Sequence, residues 1–522
     1  MIRLQAIKVK NMNLLMIYPE FPDTFWSFKH ALRFVNKKVS NPPLGLMTVS
    51  ALLPKEWNKK LIDTNIYPLT DTDIEWADLV FISAMDVQRK STEGLIERVQ
   101  SKGKKIVAGG PLFTEDYLQF PQVDYIVLNE GEITLPLFLA DYQAGKPQHL
   151  YKTDQFADMH SSPAPDLSVI KLTDYDCMSI QFSRGCPFNC DFCNVTALLG
   201  HEPRIKSVDQ IITELDHLYA SGWRRNIFFV DDNFIGNKKY LKDEILPALI
   251  KWRKGKTGCL FLTEASINLA DDKPLMKLLV QAGFISVFIG VETPDEESLI
   301  SCNKSQNVKR DLIENVHEIQ RAGIQVMGGF IVGFDSDTPK IFNRMVDFIQ
   351  KSGIVTAMVG LLQAPNKTEL FRKLETQGRI IKEMTGDNTD GTSNIVPIMD
   401  PGILRDGYLQ IMDQIYSPKY FYPRVKTFLR EYKPTKASVT IEWNEVLALL
   451  KTVVLIGFNP VEAFYYWDLF FWTLFKFPSK FPLAITLTVY EYHFHKVARQ
   501  NRKALLKSSL SNYPVEGLKI PS

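Results

Sequence analysis

Two rhythms of apolar residues run through most of this chain: short apolar runs bounded by turn residues, and longer stretches with apolar side chains three or four positions apart. The first rhythm predicts strands and the second predicts helices. Before residue 150, strands are expected at Leu14–Tyr18, Lys60–Asp63, Leu79–Ser83, Lys105–Ala108 and Tyr125–Leu128. Helices are expected at Leu44–Leu53, after Pro42-Pro43, and at Thr92–Lys102. Such alternation is the mark of a parallel α/β sheet. From Met178 to about Gln363 the pattern repeats, with strands at Met178–Phe182, Asn226–Val230, Leu260–Thr263, Ser286–Ile289, Gln325–Val332 and Val355–Gly360. Asp209–Tyr219 carries Ile211, Ile212, Leu215 and Leu218 at helical spacing. Repeated strand–helix units of this kind make a six-strand partial barrel, whose functional groups collect at the carboxyl ends of the strands.

Beyond the barrel the pattern changes. Asp387–Pro397 is polar and turn-rich, a loop acting either as a lid or as a connector. Leu404–Tyr416 and Tyr422–Tyr432 read as helices. Phe464–Phe475 is dense in aromatics, and Val446–Phe458 before it is apolar apart from Lys451. Pro460, Pro478 and Pro482 cut this region into pieces shorter than the ~20 residues that span a bilayer. Edged by Lys476, Lys480 and Lys496, it fits either an interfacial helix on a membrane surface or the core of a helical subdomain packed on the barrel. A membrane-facing tail implies a lipid substrate.

Composition narrows the function. A chain of 522 residues divides into several domains. Its net charge of +2 gives no argument for nucleic acid. Met1–Lys10 is basic and partly apolar, but no long hydrophobic stretch follows, so no secretory signal is expected. No G-x-G-x-x-G follows any early strand, which argues against a dinucleotide. Small residues at Ala108-Gly109-Gly110-Pro111 let the backbone approach a ligand at the carboxyl edge of the first sheet.

Half of the six cysteines lie in Cys186-Pro-Phe-Asn-Cys190-Asp-Phe-Cys193, spaced C-x3-C-x2-C after Ser183-Arg184-Gly185. Three thiolates in so short a loop can hold one face of a [4Fe-4S] cube and leave the fourth iron open. A zinc site lacks a second ligand pair, since His201 alone gives only a weak Cys3His set. A disulfide framework is improbable because Cys177, Cys259 and Cys302 are scattered.

This spacing, with an aromatic residue (Phe192) before the third cysteine, resembles the signature of the radical S-adenosylmethionine (SAM) superfamily. The resemblance implies that SAM chelates the open iron and is cleaved to a 5′-deoxyadenosyl radical, with cofactors supplying the radical chemistry. The early elements, with Pro42-Pro43-Leu44-Gly45-Leu46 and Gly109-Gly110-Pro111, resemble a cobalamin-binding domain. The D-x-H-x-x-G loop that supplies a histidine to cobalt elsewhere is absent, and His30 reads as a surface or core histidine. The other reading of this region is a Rossmann-like domain without corrinoid. Tyr18-Pro19-Glu20-Phe21-Pro22, Val230-Asp231-Asp232-Asn233-Phe234-Ile235-Gly236-Asn237 and Gly329-Phe330-Ile331-Val332-Gly333-Phe334-Asp335 resemble the subgroup that contains hopanoid C-2 methylases.

The resemblance implies an α/β architecture with four parts. These are a Rossmann-like cobalamin-binding-type domain at 1–150, a linker at 151–172, a partial (β/α)6 radical SAM barrel at 173–370, and a mostly helical C-terminal region at 371–522. Cys186, Cys190 and Cys193 would bind the cluster. Phe192, Asp231 or Asp232, Glu264, Gly290 and Glu292 would surround SAM, and Gly109 and Gly110 a cobalamin. Acids at strand ends also serve as helix caps, the default reading for Asp335 and Asp337. The implied reaction is cobalamin-dependent methylation of an unactivated carbon in a lipid such as a hopanoid. Its partners would be a small-molecule or lipid substrate and a flavodoxin- or ferredoxin-type electron donor. Its place would be the cytoplasm or the inner face of a membrane. The same front end also fits a cyclase or oxidoreductase, and more remotely a cobalamin sensor.

Overall fold

Six runs before residue 152 pair side by side as one parallel sheet. They are β1 (Asn13–Tyr18), β2 (Asn58–Asp63), β3 (Leu79–Ser83), β4 (Ile106–Gly109), β5 (Tyr125–Val127) and β6 (Leu150–Tyr151), in the order β2-β1-β3-β4-β5-β6. β6 is too short to leave a pattern in the sequence. The chain order reverses between β1 and β3, and ligands of open α/β sheets sit outside the carboxyl ends of strands at such a reversal. The computed structural model describes residues 11–381, 384–434 and 443–508. Met1–Lys10, read above as lacking a secretory signal, lies outside them, as do 509–522.

A second parallel sheet begins at β7 (Met178–Ile180). A short antiparallel ribbon follows, β8 (Ser183–Arg184) with β9 (Arg204–Ile205), and the cysteine loop hangs between its two strands. The sheet continues through β10 (Ile227–Phe229), β11 (Phe261–Glu264), β12 (Phe284–Glu292), β13 (Gln325–Val332) and β14 (Ala357–Leu361), each strand beside the one before it. The helices between them start on side-chain caps: Ser207 accepts from the Gln210 N–H, Asp272 from Leu275 and Asp311 from Glu314. Along β10 and β11, and in parts of β12 to β14, residues packed under the helices alternate with half-buried ones on the concave face.

The second sheet does not close, because β14 and β7 are not hydrogen-bonded to each other. The segment after β1 straps this seam. The Trp26 indole N–H donates to Met358 Sδ on β14 (3.0 Å). Asn41 Nδ2 donates to Ser179 Oγ on β7 (3.1 Å), and Val39 bridges Tyr175. The last helix, Phe481–Ser508, covers the strap from outside, with Phe494 stacked on Phe25 at 4.3 Å. Lys451 donates to the Arg33 carbonyl (2.9 Å) and Asn36 Oδ1 (2.8 Å). A single apolar core therefore runs from Phe25 through the barrel to Leu505. His30 is buried here beside Asp23.

Two sequence expectations are corrected. Pro482 does not shorten the tail: it sits in the first turn of a helix of 28 residues, where its missing N–H costs nothing. Asp335 caps no helix and instead pairs with Arg379. Asp337 caps no helix either; it accepts the backbone N–H groups of Gly333 (2.8 Å) and Phe334 (3.1 Å) in the turn after β13. The Asp387–Pro397 loop is packed rather than free, with Thr389, Ser393, Asn394 and Ile395 buried. The Thr389 carbonyl accepts from Tyr408 (2.9 Å) and Asn501 (2.8 Å).

Candidate functional site

The cysteine loop leaves β8 through Gly185, whose φ of +97° lies in the left-handed region. A Cβ there would come within 2.7 Å of the Glu202 carbonyl and 2.9 Å of the Gly200 carbonyl, so only glycine fits. The loop is then pinned by Cys186 N–H to the Gly200 carbonyl (3.2 Å), Cys193 N–H to Cys190 (3.1 Å) and Asp191 N–H to Cys302 (3.1 Å). Its three thiols are close enough to feel one another electrostatically. Burial raises all three, Cys193 to about 12. Such thiols are costly to leave as free thiolates and suit a soft cation that displaces their protons to solvent. Among the remaining cysteines, Cys177 and Cys259 are buried near backbone carbonyls, and Cys302 points to the Leu299 carbonyl.

Two residues absent from the sequence reading face this loop. Lys304, almost wholly enclosed, donates to Glu292 Oε1 at 2.7 Å, and its charge opposes the rise of all three thiols. Gln306 Nε2 reaches Cys190 Sγ at 3.7 Å. No motif flags either residue, since both sit in an ordinary loop after β12. Gly290 is what lets the ion pair form: a Cβ there would lie 2.2 Å from Glu292 Oε1 and 2.9 Å from Lys304 Nζ. Phe192 lies on the other side of Lys304, with its ring centre 5.8 Å from Nζ.

The acids at the strand ends divide by what already holds them. Asp231 is fully buried and accepts from the Phe182 N–H (3.1 Å), the Ser183 N–H and the Ser183 hydroxyl (2.6 Å). It fastens the turn from β7 into β8. Asp232, one residue on, faces the Gly185 N–H and keeps a buried oxygen, Oδ2, without a partner. Burial, opposed by that backbone N–H, raises its carboxyl to about 6. Asn233 likewise has a buried side-chain oxygen without a partner. Glu264 ends β11 on the concave face, and burial followed by the Asp232 and Asp231 charges pushes it to about 8. Asp231, Asp232 and Glu264 thus form one electrostatic set, of which Asp232 and Glu264 are free to take a ligand's cation or hydroxyl groups.

Beside and below that set the concave face is apolar. Phe228, Leu262, Phe288, Met327 and Met358 alternate with the helix-packed residues of β10 to β14. Registers place Glu264 beside Phe288 and Gly290 beside Gly329. Trp26 enters from the strap and meets Phe288 edge-on at 5.2 Å, while remaining 39% exposed.

The carboxyl edge of the first sheet meets the cysteine loop across polar contacts. Asn194 Nδ2 donates to Glu115 Oε1 (2.7 Å), Asn366 Nδ2 to Asp116 Oδ1 (2.5 Å) and Lys367 to the Thr114 carbonyl (2.7 Å). Burial and the nearby Asp86 push Glu115 up to about 7. Gly109 and Gly110 form this edge: a Cβ at Gly109 would lie 2.8 Å from the Val127 carbonyl, and one at Gly110 2.7 Å from Ser83 Oγ. A buried ion cluster completes the junction. Arg184 donates to Glu130 (2.8 Å) and Glu132 (2.8 Å), Arg204 to Glu130 (2.9 Å), and Ser162 to Glu132 (2.8 Å).

Comparison with known proteins fits this geometry. The B12 binding domain profile matches residues 35–139, the radical SAM superfamily profile 180–349, and a domain of unknown function (DUF4070) 368–506. An uncharacterized methyltransferase of Synechocystis sp. is 38% identical over 96% of this chain and 95% of its own. The hopanoid C-2 methylase of Rhodopseudomonas palustris is 35% identical over 71% of each chain. The solved structure of the cobalamin-dependent S-adenosylmethionine radical enzyme OxsB, with aqua-cobalamin and S-adenosylmethionine bound, superposes with a TM-score of 0.61. It is 16% identical and covers 97% of this chain and 82% of its own.

Proposed function

The chain belongs to the cobalamin-dependent radical SAM methyltransferases, and from that premise we propose that its methyl acceptor is an unactivated carbon of an apolar lipid of the hopanoid kind. Its cofactors are a [4Fe-4S] cluster, SAM and cobalamin. Together they supply one-electron cleavage of SAM, hydrogen abstraction and a transferable methyl group. A small-molecule substrate and a reductant complete the reaction.

The observation that carries the lipid reading is the apolar concave face beside the acid set, lined by Phe288, Met358 and Trp26. Phe288 pairs in register with Glu264 and Met327 with Phe288, so the apolar lining begins at the level of the acids. That lining suits a fused-ring hydrocarbon lying beside the ligand held at the strand ends, and Phe228, Leu262, Met327 and Met358 would keep water from it. A lipid acceptor also implies peripheral work at the inner face of a membrane. Among the described residues no helix is long and apolar enough to cross one.

In this reading Cys186, Cys190 and Cys193 hold the cluster, with Gln306 donating to one sulfur. Asp232 and Asn233 take the SAM ammonium, Glu264 its ribose, and the Glu292–Lys304 pair stands beside both. Cobalamin lies along the edge formed by Gly109, Gly110, Asp86 and Glu115, whose polar groups match amide side chains. The domains follow the sheets: the first sheet, a linker from 151 to 172, the barrel, and the helices after it.

The functional test is anaerobic incubation of the reconstituted enzyme with SAM, cobalamin, reductant and a hopanoid hydrocarbon. Expected products are 5′-deoxyadenosine, S-adenosylhomocysteine and a lipid heavier by one methyl group. Formation of the two nucleosides with a polar acceptor, and never with the lipid, would overturn the lipid assignment. The two adjacent acids give a separate prediction. Asp231→Asn should cost about 1–3 kcal/mol of stability, because a carboxylate accepting three hydrogen bonds is lost. Asp232→Asn should leave urea unfolding nearly unchanged yet weaken SAM binding about 10- to 100-fold, readable by equilibrium dialysis. Equal SAM binding by wild type and Asp232→Asn would return the role to another group.

A further inference from the structure

Of the 22 large apolar side chains left exposed among the described residues, ten fall between Leu447 and Phe475. They belong to the helices Trp443–Leu455 and Ala463–Lys476 and the turn between them. Phe464 and Phe475 are each 77% exposed and Phe458 73%, far beyond what packing in a helical subdomain would leave. On the second helix Trp467 stacks on Phe471 at 5.6 Å and Phe471 on Phe475 at 6.3 Å. The aromatic ridge is therefore ordered by its own members, with no described element of the chain covering it.

Charge says what covers it. Residues 417–508 carry 14 Lys and Arg against 6 Asp and Glu, although the whole chain nets only +2. Glu462 and Glu491 among those acids are buried, and Asp468 is paired with Lys426 at 2.7 Å. Lys426 and Arg430 lie over the Trp472 ring, at 5.1 and 5.5 Å from its centre. An aromatic and aliphatic face rimmed by cations and a tryptophan is the arrangement of a helix lying in a bilayer interface, where anionic headgroups meet the cations.

We propose that the helical hairpin Trp443–Lys476 docks on an anionic lipid bilayer, inserting Phe458, Phe464, Phe471 and Phe475 to the depth of the headgroups. This deepens the lipid reading by naming the surface from which the acceptor is drawn, and it rests on that reading for its purpose but not for its test. Neither helix spans, since at 13 and 14 residues each is shorter than the ~20 that cross a bilayer.

The test is co-sedimentation of the full-length reconstituted enzyme with vesicles of phosphatidylcholine, with and without phosphatidylglycerol. Binding to the anionic vesicles should exceed binding to the neutral ones and fall as salt is raised. Phe464→Ser/Phe475→Ser should weaken it about tenfold or more, since two exposed phenyl groups lose their transfer to the membrane. Because both side chains are solvent-exposed, the variant should keep the wild-type unfolding midpoint. No sedimentation with anionic vesicles, equal binding by the variant, or salt-independent binding to neutral vesicles would each overturn the proposal. A dimer abolished by the same variant, with no vesicle binding, would assign the face to a second copy instead. Methyl transfer to a detergent-dispersed acceptor is read separately, so failure here does not imply failure of the lipid assignment.

Discussion

Cys190→Ala should yield a colourless protein that forms no 5′-deoxyadenosine above background. The argument is one of ligand number: the loop offers three thiols, and a cube held at two corners leaves two irons open and labile. Cys190 is the innermost of the three, and Gln306 is already oriented toward its sulfur. Cys302→Ala and Cys177→Ala are the controls. Cys302 packs with Phe334, Leu362 and Ala364, and Cys177 lies beside its own strand, so both variants should keep the visible absorbance and full iron content. A coloured, active Cys190→Ala protein would remove the ligand assignment. Loss of colour in Cys302→Ala would mean that the cluster uses a different set.

The second large effect is expected at Arg184, two residues before the first cysteine. Arg184→Met leaves Glu130 and Glu132, 4% and 5% exposed, facing each other with only Arg204 and Ser162. Breaking a buried pair from one side typically costs about 3–5 kcal/mol. Here the loss falls on the contact that holds the cysteine ribbon to the first sheet. Burial alone would raise the Glu132 carboxyl, but the hydrogen bonds and charge of Arg184, with Ser162, outweigh it and hold it below its ordinary value. Its contribution is therefore present above the ordinary carboxylate pKa and lost as pH falls through the depressed one. In the variant that depression disappears and burial wins. The stability deficit should be largest near pH 7 and shrink toward pH 5, where protonation relieves the unpaired charge. Urea unfolding at both pH values measures this. A deficit that is small or independent of pH would show that the cluster is solvated in solution.

Much of this was legible beforehand, because strands buried under helices announce themselves as apolar runs. The six barrel strands are of that kind, while the cysteine loop and the acids that end β10, β11 and β12 stand out by spacing and charge. What could not be read was which partner each acid already had. Asp231 and Asp232 look equivalent in sequence, and only the turn from β7 to β8 decides that the first is consumed by backbone N–H groups. Lys304 and Gln306 reach the loop through tertiary placement, with no spacing to betray them. Trp26 is similar: Phe25-Trp26-Ser27-Phe28 reads as an aromatic loop, and nothing local says that it crosses to β14 of another sheet.

The strap has a consequence for how the protein is made. The Phe25 carbonyl accepts from His493, 468 positions later. On the ribosome the first sheet can form early, but the strap cannot be seated until the final helix emerges. Until then β7 and β14 are bare strand edges, and bare edges invite pairing with other chains. The same interval leaves the barrel open at its side while the cysteine loop is already formed. Before the helix Phe481–Ser508 is made, the same opening thus exposes the strand edges to pairing and the cysteine loop to iron and sulfide, and seating that helix on the strap closes both.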